Sequence, residues 1–241
     1  MSPLRICTVY PDLLGTYGDS GNGEVLAARA RWRDLDVELV AARSSERLPE
    51  ADLYAIGGGE DGPQVLAAER LAADGGLVEA AKRGAVILAV CAGFQVIGNR
   101  FPDAQGQLHQ GLGLLDIATA KGTGPRAVGE VAVAVPTESD GGLGLPMLSG
   151  FENHGGVTTL GPGVKPLGRV AAGVGNGAGD GSEGAVAGHV LGTYLHGPVL
   201  ARNAALADLL LAWATGIELE PLDDAGSEDL RRERLGRLSL S

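Results

Sequence analysis

The sequence predicts an α/β fold: a mostly parallel sheet flanked by helices on both faces, with an antiparallel extension in the second half. In the first half, short apolar runs alternate with stretches of helical periodicity, the order that builds a parallel sheet. In the second half, strand-like runs follow one another without helices between them. The chain has 40 glycines in 241 residues, which favours many tight turns and close backbone contacts.

The elements of the first half follow from apolar runs and the loops between them. Strands are predicted at residues 5–10, 37–41, 53–56 and 86–90. Helices are predicted at residues 24–33 and, as one or two helices, at 64–83. Two loops rich in glycine, 12–23 and 57–63, follow the first and third strands.

The second half is predicted to contain a strand at 128–135 and a compact polar segment at 150–156. An antiparallel hairpin with a Gly-rich turn is predicted between 168–170 and 184–190, and a helix at 203–214. Residues 1–216 form the predicted domain. Residues 217–241 form a charged tail, for which a solvated helix or frayed end is favoured over a docking element.

The composition and charge of the chain argue against several classes of function. With 44% hydrophobic and 20% charged residues, the chain can bury a core. A net charge of -11 argues against nucleic acid or an anionic membrane as partner. We expect no membrane span, no signal peptide, reduced thiols and a cytoplasmic protein. The two cysteines lack metal-ligand spacing, so we expect no metal site.

Cys91 is the candidate nucleophile. The apolar run Val86–Val90 predicts a buried strand that ends at Cys91, and a helical pattern follows. Such a turn exposes one reactive atom at the end of a parallel sheet, and a helix N-terminus favours the thiolate. A buried structural cysteine is the alternative. The flanking Ala92, Gly93 and Gln95 favour the nucleophile.

His196 is the best candidate base among the four histidines. It ends a short strand before Gly197 and Pro198, and chemistry in open α/β sheets collects at such carboxyl ends. His189 is seven positions earlier, so on a regular strand it points to the other face. His109 is predicted in a polar surface loop.

An anionic intermediate needs backbone donors, and two places could supply them. The amide of Ala92 is placed by the turn itself. The loop Gly57–Gly59 follows a strand and can point amides at an anion, with a plain flexible turn as the alternative. No Gly-Lys-Ser/Thr follows, so it is not a common phosphate loop.

Together these motifs carry a resemblance. The Gly-rich loop, the Cys91 turn and Tyr194-Leu-His196-Gly resemble a class I (triad-type) glutamine amidotransferase. The stretches 111–116 and 150–156 resemble its cobyric acid synthase-like branch. Within that branch, stretches 12–22, 57–64 and 150–156 are similar to the glutaminase subunits of lipid II isoglutaminyl synthases.

The resemblance implies that Cys91 attacks the side-chain amide of L-glutamine and that His196 protonates the leaving ammonia. It implies oxyanion contacts from Ala92, Gly58 and Gly59. Arg126 would hold the α-carboxylate, unless it is only a surface arginine. Gln95 would contact the substrate or pack the turn.

The resemblance also implies a heterodimer with a Mur-ligase-like synthetase. That partner would carry ATP and Mg, and it would use the ammonia to amidate the D-glutamate of lipid II in peptidoglycan synthesis. No cofactor is expected in this chain. The alternatives are cobyric acid-type amidation, a non-catalytic binding subunit of the same fold, and a cysteine peptidase or stress-type hydrolase.

The sequence departs from the family pattern at two positions. Ala89 stands where a glycine usually precedes the cysteine by two residues. Pro198 stands where many triad enzymes carry an acid two residues after the histidine. The acid behind His196 must therefore come from elsewhere in this chain or from the partner, and we expect the partner to supply it.

Overall fold

The computed structural model describes residues 2–238. Its strands are β1 (Leu4–Val9), β2 (Val37–Ala42), β3 (Leu53–Ile56), β4 (Val86–Val90), β5 (Arg100–Pro102), β6 (Leu108–Gln110), β7 (Ile117–Lys121), β8 (Ala127–Ala134), β9 (Leu148–His154), β10 (Gly156–Leu160), β11 (Gly168–Ala172), β12 (Ser182–Glu183), β13 (Ala185–Ala187) and β14 (Val190–Thr193). Its α-helices are α1 (Gly21–Arg31), α2 (Asp61–Asp74), α3 (Gly76–Lys82), α4 (Ala92–Val96), α5 (Val199–Arg202), α6 (Ala204–Thr215) and α7 (Ala225–Gly236), and Glu138–Asp140 form a 3₁₀ turn.

The main sheet has the strand order β13-β14-β4-β3-β1-β2. Neighbouring strands from β14 to β2 are parallel, and β13 is antiparallel to β14. The chain steps outward from β1 to β2 but in the opposite direction from β3 to β4. Because such crossovers are right-handed, the two connecting sets of helices lie on opposite faces. This confirms the predicted α/β class.

The helices accordingly pack in two groups. Helix α1 contacts α5 and α6, whereas α2 contacts α3 and α4. Between the two layers, all five residues of β4 are buried, as expected for a central parallel strand that has helices on both faces. The core consists mainly of aliphatic side chains, with the buried rings of Tyr10, Tyr54 and Tyr194 among the largest.

The antiparallel extension consists of two four-stranded sheets, β10-β7-β5-β6 and β12-β11-β8-β9. Strand β8 pairs with β9 from Ala127 opposite His154 to Val133 opposite Leu148. The predicted polar segment 150–156 thus lies largely in β9, and its backbone is held by a strand neighbour.

The predicted hairpin between 168–170 and 184–190 is wrong in its second arm. Strand β11 pairs only with β12 on that side, at Gly168 opposite Glu183 and Arg169 opposite Ser182. The segment beyond it breaks at Gly188, where φ is 55°. Its two halves form the β13–β14 hairpin at the edge of the main sheet. A positive φ interrupts a strand, and glycine adopts it without strain.

The charged tail forms α7, which has no buried residue within the described part of the chain. The segment before α7 is anchored: the buried Arg29 of α1 donates to Asp208 of α6 and to Asp224, in each case at 2.7 Å. Residues 239–241 of the predicted tail lie outside the described residues. The start of the tail is thereby attached to the helical layer of α1 and α6.

Candidate active site

The candidate site residues lie at the carboxyl ends of four adjacent strands of the main sheet. Cys91 follows β4, Gly57–Gly59 follows β3, the loop 10–20 follows β1, and His196 comes three residues after β14. The strand order changes direction between β1 and β3, and ligands of open α/β sheets bind at such a switch point. The topology therefore brings the predicted nucleophile, base and glycine loop together.

Cys91 occupies a strained turn. Its φ of 53° and ψ of -105° lie outside the regions that ordinary residues prefer, and such strain is typical of functional sites. The Cys91 amide donates to the Thr193 carbonyl at 2.8 Å. A side chain on Gly93 would lie 2.8 Å from Ile56 Cγ2 and 2.9 Å from the Gly57 carbonyl oxygen. Because Gly93 has no side chain, the first turn of α4 can pack against the end of β3.

His196 and Asp19 form a buried pair. His196 Nδ1 lies 2.7 Å from Asp19 Oδ2, and both side chains are at most 1% exposed. Burial alone lowers the pKa of His196, but the hydrogen bond to Asp19, together with hydrogen-bonding and charge interactions with Cys91, outweighs it and raises this pKa to about 10. The acid was expected from the partner, but the structure places Asp19 of the same chain behind His196.

Gly58 lies between the side chains of Cys91, His196 and Asp19. A side chain there would lie 2.6 Å from His196 Cε1, 3.1 Å from Asp19 Oδ2 and 3.4 Å from Cys91 Cβ. The imidazole and the nucleophile therefore flank one point. His196 Nε2 is buried and makes no hydrogen bond of ordinary geometry within residues 2–238, although Cys91 is close enough to raise the pKa of the imidazole. This nitrogen can therefore take a proton from Cys91 or from a substrate.

The Gly58 amide does not fit its predicted role. It donates to Asp19 Oδ2 at 2.9 Å, so it orients the acid and is not free to bind an oxyanion. The contribution of Gly58 is the space it leaves. The amides of Ala92 and Gly59 stay the predicted oxyanion donors, and both residues line the cleft beside Cys91.

The other histidines have other surroundings. His189 lies at the opposite end of β14, where Nδ1 is 3.1 Å from the Gly84 carbonyl oxygen and the ring stacks on Trp213. His109 pairs with Asp103 at 3.0 Å. His154 is buried in the wall of the Cys91 cleft, stacked on Tyr194 at a centroid distance of 3.7 Å.

Two clefts, of about 320 and 360 Å³, reach Cys91, and Arg126 lines both of them. Arg126 Nε donates to Asn153 Oδ1 at 2.5 Å and Nη2 donates to the Asn153 carbonyl at 3.0 Å. Asn153 in turn donates to the hydroxyl of Tyr17, whose ring meets His196 edge-on at 5.0 Å. Arg126 therefore brings a positive charge into the two clefts that Cys91 also lines.

Comparison with known proteins agrees with this geometry. Residues 5–204 match the model of the CobB/CobQ-like glutamine amidotransferase domain. The chain belongs to this family. The amidotransferase is 35% identical to the GatD subunit of the glutamine-hydrolysing lipid II isoglutaminyl synthase of Staphylococcus aureus strain N315, over 98% of this chain and 95% of that subunit. It is 32% identical to the GatD subunit of Streptococcus pneumoniae strain R6, over 95% of this chain and 90% of that subunit.

More distant relatives share only part of this length or only the fold. The cobyric acid synthase of Pelotomaculum thermopropionicum is 39% identical over 56% of this chain and 26% of that enzyme. The crystal structure of a glutamine amidotransferase superposes with a TM-score of 0.60 at 20% identity, covering 88% of this chain and 99% of the other. At that identity the likeness concerns the fold.

Within residues 2–238, the amidotransferase shows no cluster of three or more His, Cys, Asp or Glu side chains suited to a metal ion. No helix in the same range has the length and apolar character needed to cross a membrane.

Asp19 is the candidate site residue that the sequence analysis does not predict. It lies in the polar loop after β1, 177 positions before His196. One signal was available: the loop leaves the carboxyl end of a strand that neighbours β3, and acidic side chains at such ends converge on the switch point. Asp19 is far from His196 in sequence, and the order of strands in the sheet brings the two side chains together.

Proposed function

We propose that this chain is the glutaminase subunit of a lipid II isoglutaminyl synthase. It hydrolyses L-glutamine and delivers the ammonia to an ATP-dependent, Mur-ligase-like partner that amidates the D-glutamate of lipid II. The observation that supports this most is the alignment over nearly the full length of two lipid II isoglutaminyl synthase subunits, in a chain that also brings Cys91, His196 and Asp19 together.

The proposed reaction begins with attack of the Cys91 thiolate on the γ-carbonyl carbon of glutamine. The resulting oxyanion accepts hydrogen bonds from the amides of Ala92 and Gly59. Imidazolium His196 donates its proton to the nitrogen as the C–N bond breaks, which releases ammonia and leaves a glutamyl thioester. Neutral His196 then takes a proton from water and hydroxide adds to the thioester. The C–S bond breaks, which regenerates the Cys91 thiolate and releases glutamate, whose new carboxyl group loses its proton to water.

Asp19 has a defined part in this cycle. Its carboxylate accepts the hydrogen bond from His196 Nδ1, which leaves Nε2 to carry the transferred proton and stabilises the imidazolium. The Gly58 amide holds the same carboxylate oxygen at 2.9 Å. The acid is therefore oriented from two directions before substrate arrives.

Arg126 supports glutamine as the substrate. Its Nε and Nη2 hold Asn153, while Nη1 makes no hydrogen bond within the described residues. That group is suited to the α-carboxylate of an amino acid whose side chain reaches Cys91. Asp61 lines both clefts as well, so charges of both signs are available to a zwitterion.

A cobyric acid-type amidation is the second candidate, supported by the 39% identity over 144 residues to a cobyric acid synthase. The two candidates share the glutaminase step and differ in the acceptor. A non-catalytic role is disfavoured because a binding subunit has no need of a buried His–Asp pair beside a strained cysteine.

The test combines this chain with its ATP-dependent partner and offers lipid II with either L-glutamine or ammonium chloride. The wild-type complex is expected to amidate lipid II with both nitrogen sources. Cys91→Ala is expected to lose only the glutamine-dependent reaction. Retention of glutamine-dependent amidation by Cys91→Ala would refute the mechanism. Amidation of a corrinoid carboxylate in place of lipid II would favour the second candidate.

A further inference from the structure

A chain of hydrogen bonds runs from the wall of the Cys91 cleft into the protein. Gln64 Nε2 donates to Gln95 Oε1 at 2.8 Å, and Gln95 Nε2 donates to the Tyr194 hydroxyl at 3.1 Å. That hydroxyl lies 2.7 Å from Thr158 Oγ1, which lies 2.8 Å from Thr119 Oγ1. All five side chains are buried. Only Gln64 and Gln95 line the cleft. Tyr194, Thr158 and Thr119 therefore do not contact a ligand there.

The Ala92 carbonyl, at one end of this series of hydrogen bonds, fixes which groups donate and which accept. Gln64 Nε2 lies 3.5 Å from the Ala92 carbonyl oxygen, which can only accept a hydrogen bond. The nitrogen of Gln64 must therefore face Ala92 and Gln95, and this places the oxygen of Gln95 towards Gln64. The nitrogen of Gln95 then faces Tyr194, whose hydroxyl accepts from Gln95 and forms its second hydrogen bond with Thr158.

Once these directions are fixed, the hydrogen-bonding groups that the Gln95 amide has left for a ligand are fixed as well. Nε2 retains one N–H after donating to Tyr194, and Oε1 retains one lone pair after accepting from Gln64. A carboxamide held this way presents one donor and one acceptor in fixed positions. Glutamine itself offers both kinds of partner, at its side-chain amide and at its α-amino and α-carboxylate groups.

Packing around Tyr194 allows little movement. Its ring is stacked on His154 with an interplanar angle of 13°, and it meets Phe94 edge-on at 5.2 Å. A side chain on Gly156 would lie 2.7 Å from Gln95 Nε2 and 3.2 Å from the Tyr194 hydroxyl. The glycine thus leaves room for this hydrogen bond, and the aromatic neighbours keep the hydroxyl in place.

We propose that Tyr194 is a positioning residue that acts through Gln95 and sets the affinity of the cleft for L-glutamine. Its hydroxyl holds the Nε2 end of the Gln95 amide, in the direction that the Ala92 carbonyl sets through Gln64. The inference rests on the proposed function, since it concerns the same glutamine site. Tyr194 does not touch the substrate, so its effect belongs to binding more than to bond breaking.

The test starts with Tyr194→Phe, which keeps both ring contacts and removes the hydroxyl. We expect KM for L-glutamine to rise about three- to tenfold, the usual net worth of one hydrogen bond, with little change in kcat. Equilibrium binding of L-glutamine to full-length Cys91→Ala, with and without Tyr194→Phe, should show the same fold-change in Kd. Thr158→Val should act in the same direction and less strongly.

Tyr54→Phe is the matched control. Tyr54 is 1% exposed, and its hydroxyl accepts from the Ala51 amide and donates to the Pro49 carbonyl. None of these residues lines the clefts at Cys91. Loss of this buried hydroxyl should lower the melting temperature as Tyr194→Phe does, without changing KM.

A double-mutant cycle decides whether the effect passes through Gln95. In a Gln95→Ala background, Tyr194→Phe should change KM and Kd no further. Additive effects, an unchanged KM in Tyr194→Phe, or an equal rise in Tyr54→Phe would overturn the inference. Absence of L-glutamine binding and hydrolysis by the parent proteins would instead refute the proposed function.

Discussion

Replacing Asp19 with asparagine removes the negative charge behind His196 while keeping an oxygen that can accept from Nδ1 and from the Gly58 amide. The side chain keeps its shape in a site where Asp19 and His196 are almost fully buried. A loss of activity in this variant therefore reports on charge. Asp19→Ala removes the acceptor as well, so the imidazole loses its orientation in addition.

The structure sets the magnitude. A rise in the pKa of His196 from 6.5 to about 10 corresponds to about 5 kcal/mol in favour of the imidazolium, at 1.36 kcal/mol per pKa unit. Burial opposes this rise and Cys91 contributes to it, so we take about 2–3 kcal/mol for Asp19, which is within the range for a hydrogen bond to a charged group. Asp19→Asn should therefore lower kcat by about 30- to 150-fold. Asp19→Ala should lower it further because the tautomer is no longer fixed.

The assay is ammonia release from L-glutamine, measured for the chain alone and with its partner. Asp12→Asn is the matched control: it is the same substitution in the same loop, at an exposed carboxylate that bonds Ser44. A folded Asp19→Asn variant with wild-type kcat would refute the reasoning. If kcat is retained only in the complex, the working acid comes from the partner, as the sequence first suggested.

The His196–Asp19 pair should also affect how the free energy of unfolding depends on pH. The pKa of His196 is raised on folding, so its contribution is fully present below pH 6.5 and is lost as pH rises through about 10. The difference in unfolding free energy between wild type and Asp19→Asn should therefore shrink across that range. Chemical denaturation at several pH values measures it.

Three further predictions concern the substrate, a buried acid and the tail. Arg126→Gln should raise KM for L-glutamine about 10- to 100-fold with a smaller effect on kcat, because a charged hydrogen bond to the α-carboxylate is lost. Burial, reinforced by Glu152 and partly offset by hydrogen bonds from Tyr194 and Thr193, raises the pKa of Glu183 from 4.5 to about 7. The free energy of unfolding should therefore fall by up to about 3 kcal/mol between pH 4.5 and 7, and Glu183→Gln should abolish that slope. Arg29→Ala should destabilise the fold by about 3 kcal/mol, since it removes a buried guanidinium that bonds the half-buried carboxylates of Asp208 and Asp224, while KM is unchanged.

Each of these has a clear contrary result. Steady-state kinetics with an unchanged KM in Arg126→Gln would remove the arginine from the substrate site. A pH slope that persists in Glu183→Gln would assign it to another group. A melting temperature for Arg29→Ala equal to that of wild type would show that the Arg29–Asp208–Asp224 contacts do not stabilise the fold. Lys82→Ala, at an exposed helical ion pair with Glu79, serves as its control, with an expected loss of below about 1 kcal/mol.

Much of the fold was accessible from the sequence because its signals are local. The run Val86–Val90 is apolar throughout, and the strand has those same bounds. Strands β1 and β3 and the helix pair α2–α3 also lie where apolar periodicity predicts them. Cys91 and His196 were predicted from the same local signal, since each follows the end of a strand, and the structure places both at one edge of the sheet.

What the sequence missed depends on contacts between distant segments. Nothing near His196 indicates that the carboxylate beside it comes from residue 19, and Pro198 occupies the position where many triad enzymes carry the acid. Residues 185–187 and 190–193 are apolar enough for any strand, and only the packing of the whole sheet decides that they join β4. The direction of the Gly58 amide depends on one peptide plane, which composition does not determine.

The separation of 177 residues between Asp19 and His196 has a consequence for biosynthesis. On the ribosome, Cys91 emerges long before β14, the strand that leads to His196 and pairs with β4 inside the main sheet. Because that pairing is non-local, it forms late and slowly. The nascent chain therefore carries a cysteine without its base, and glutamine hydrolysis begins only when the last strand of the sheet has been inserted.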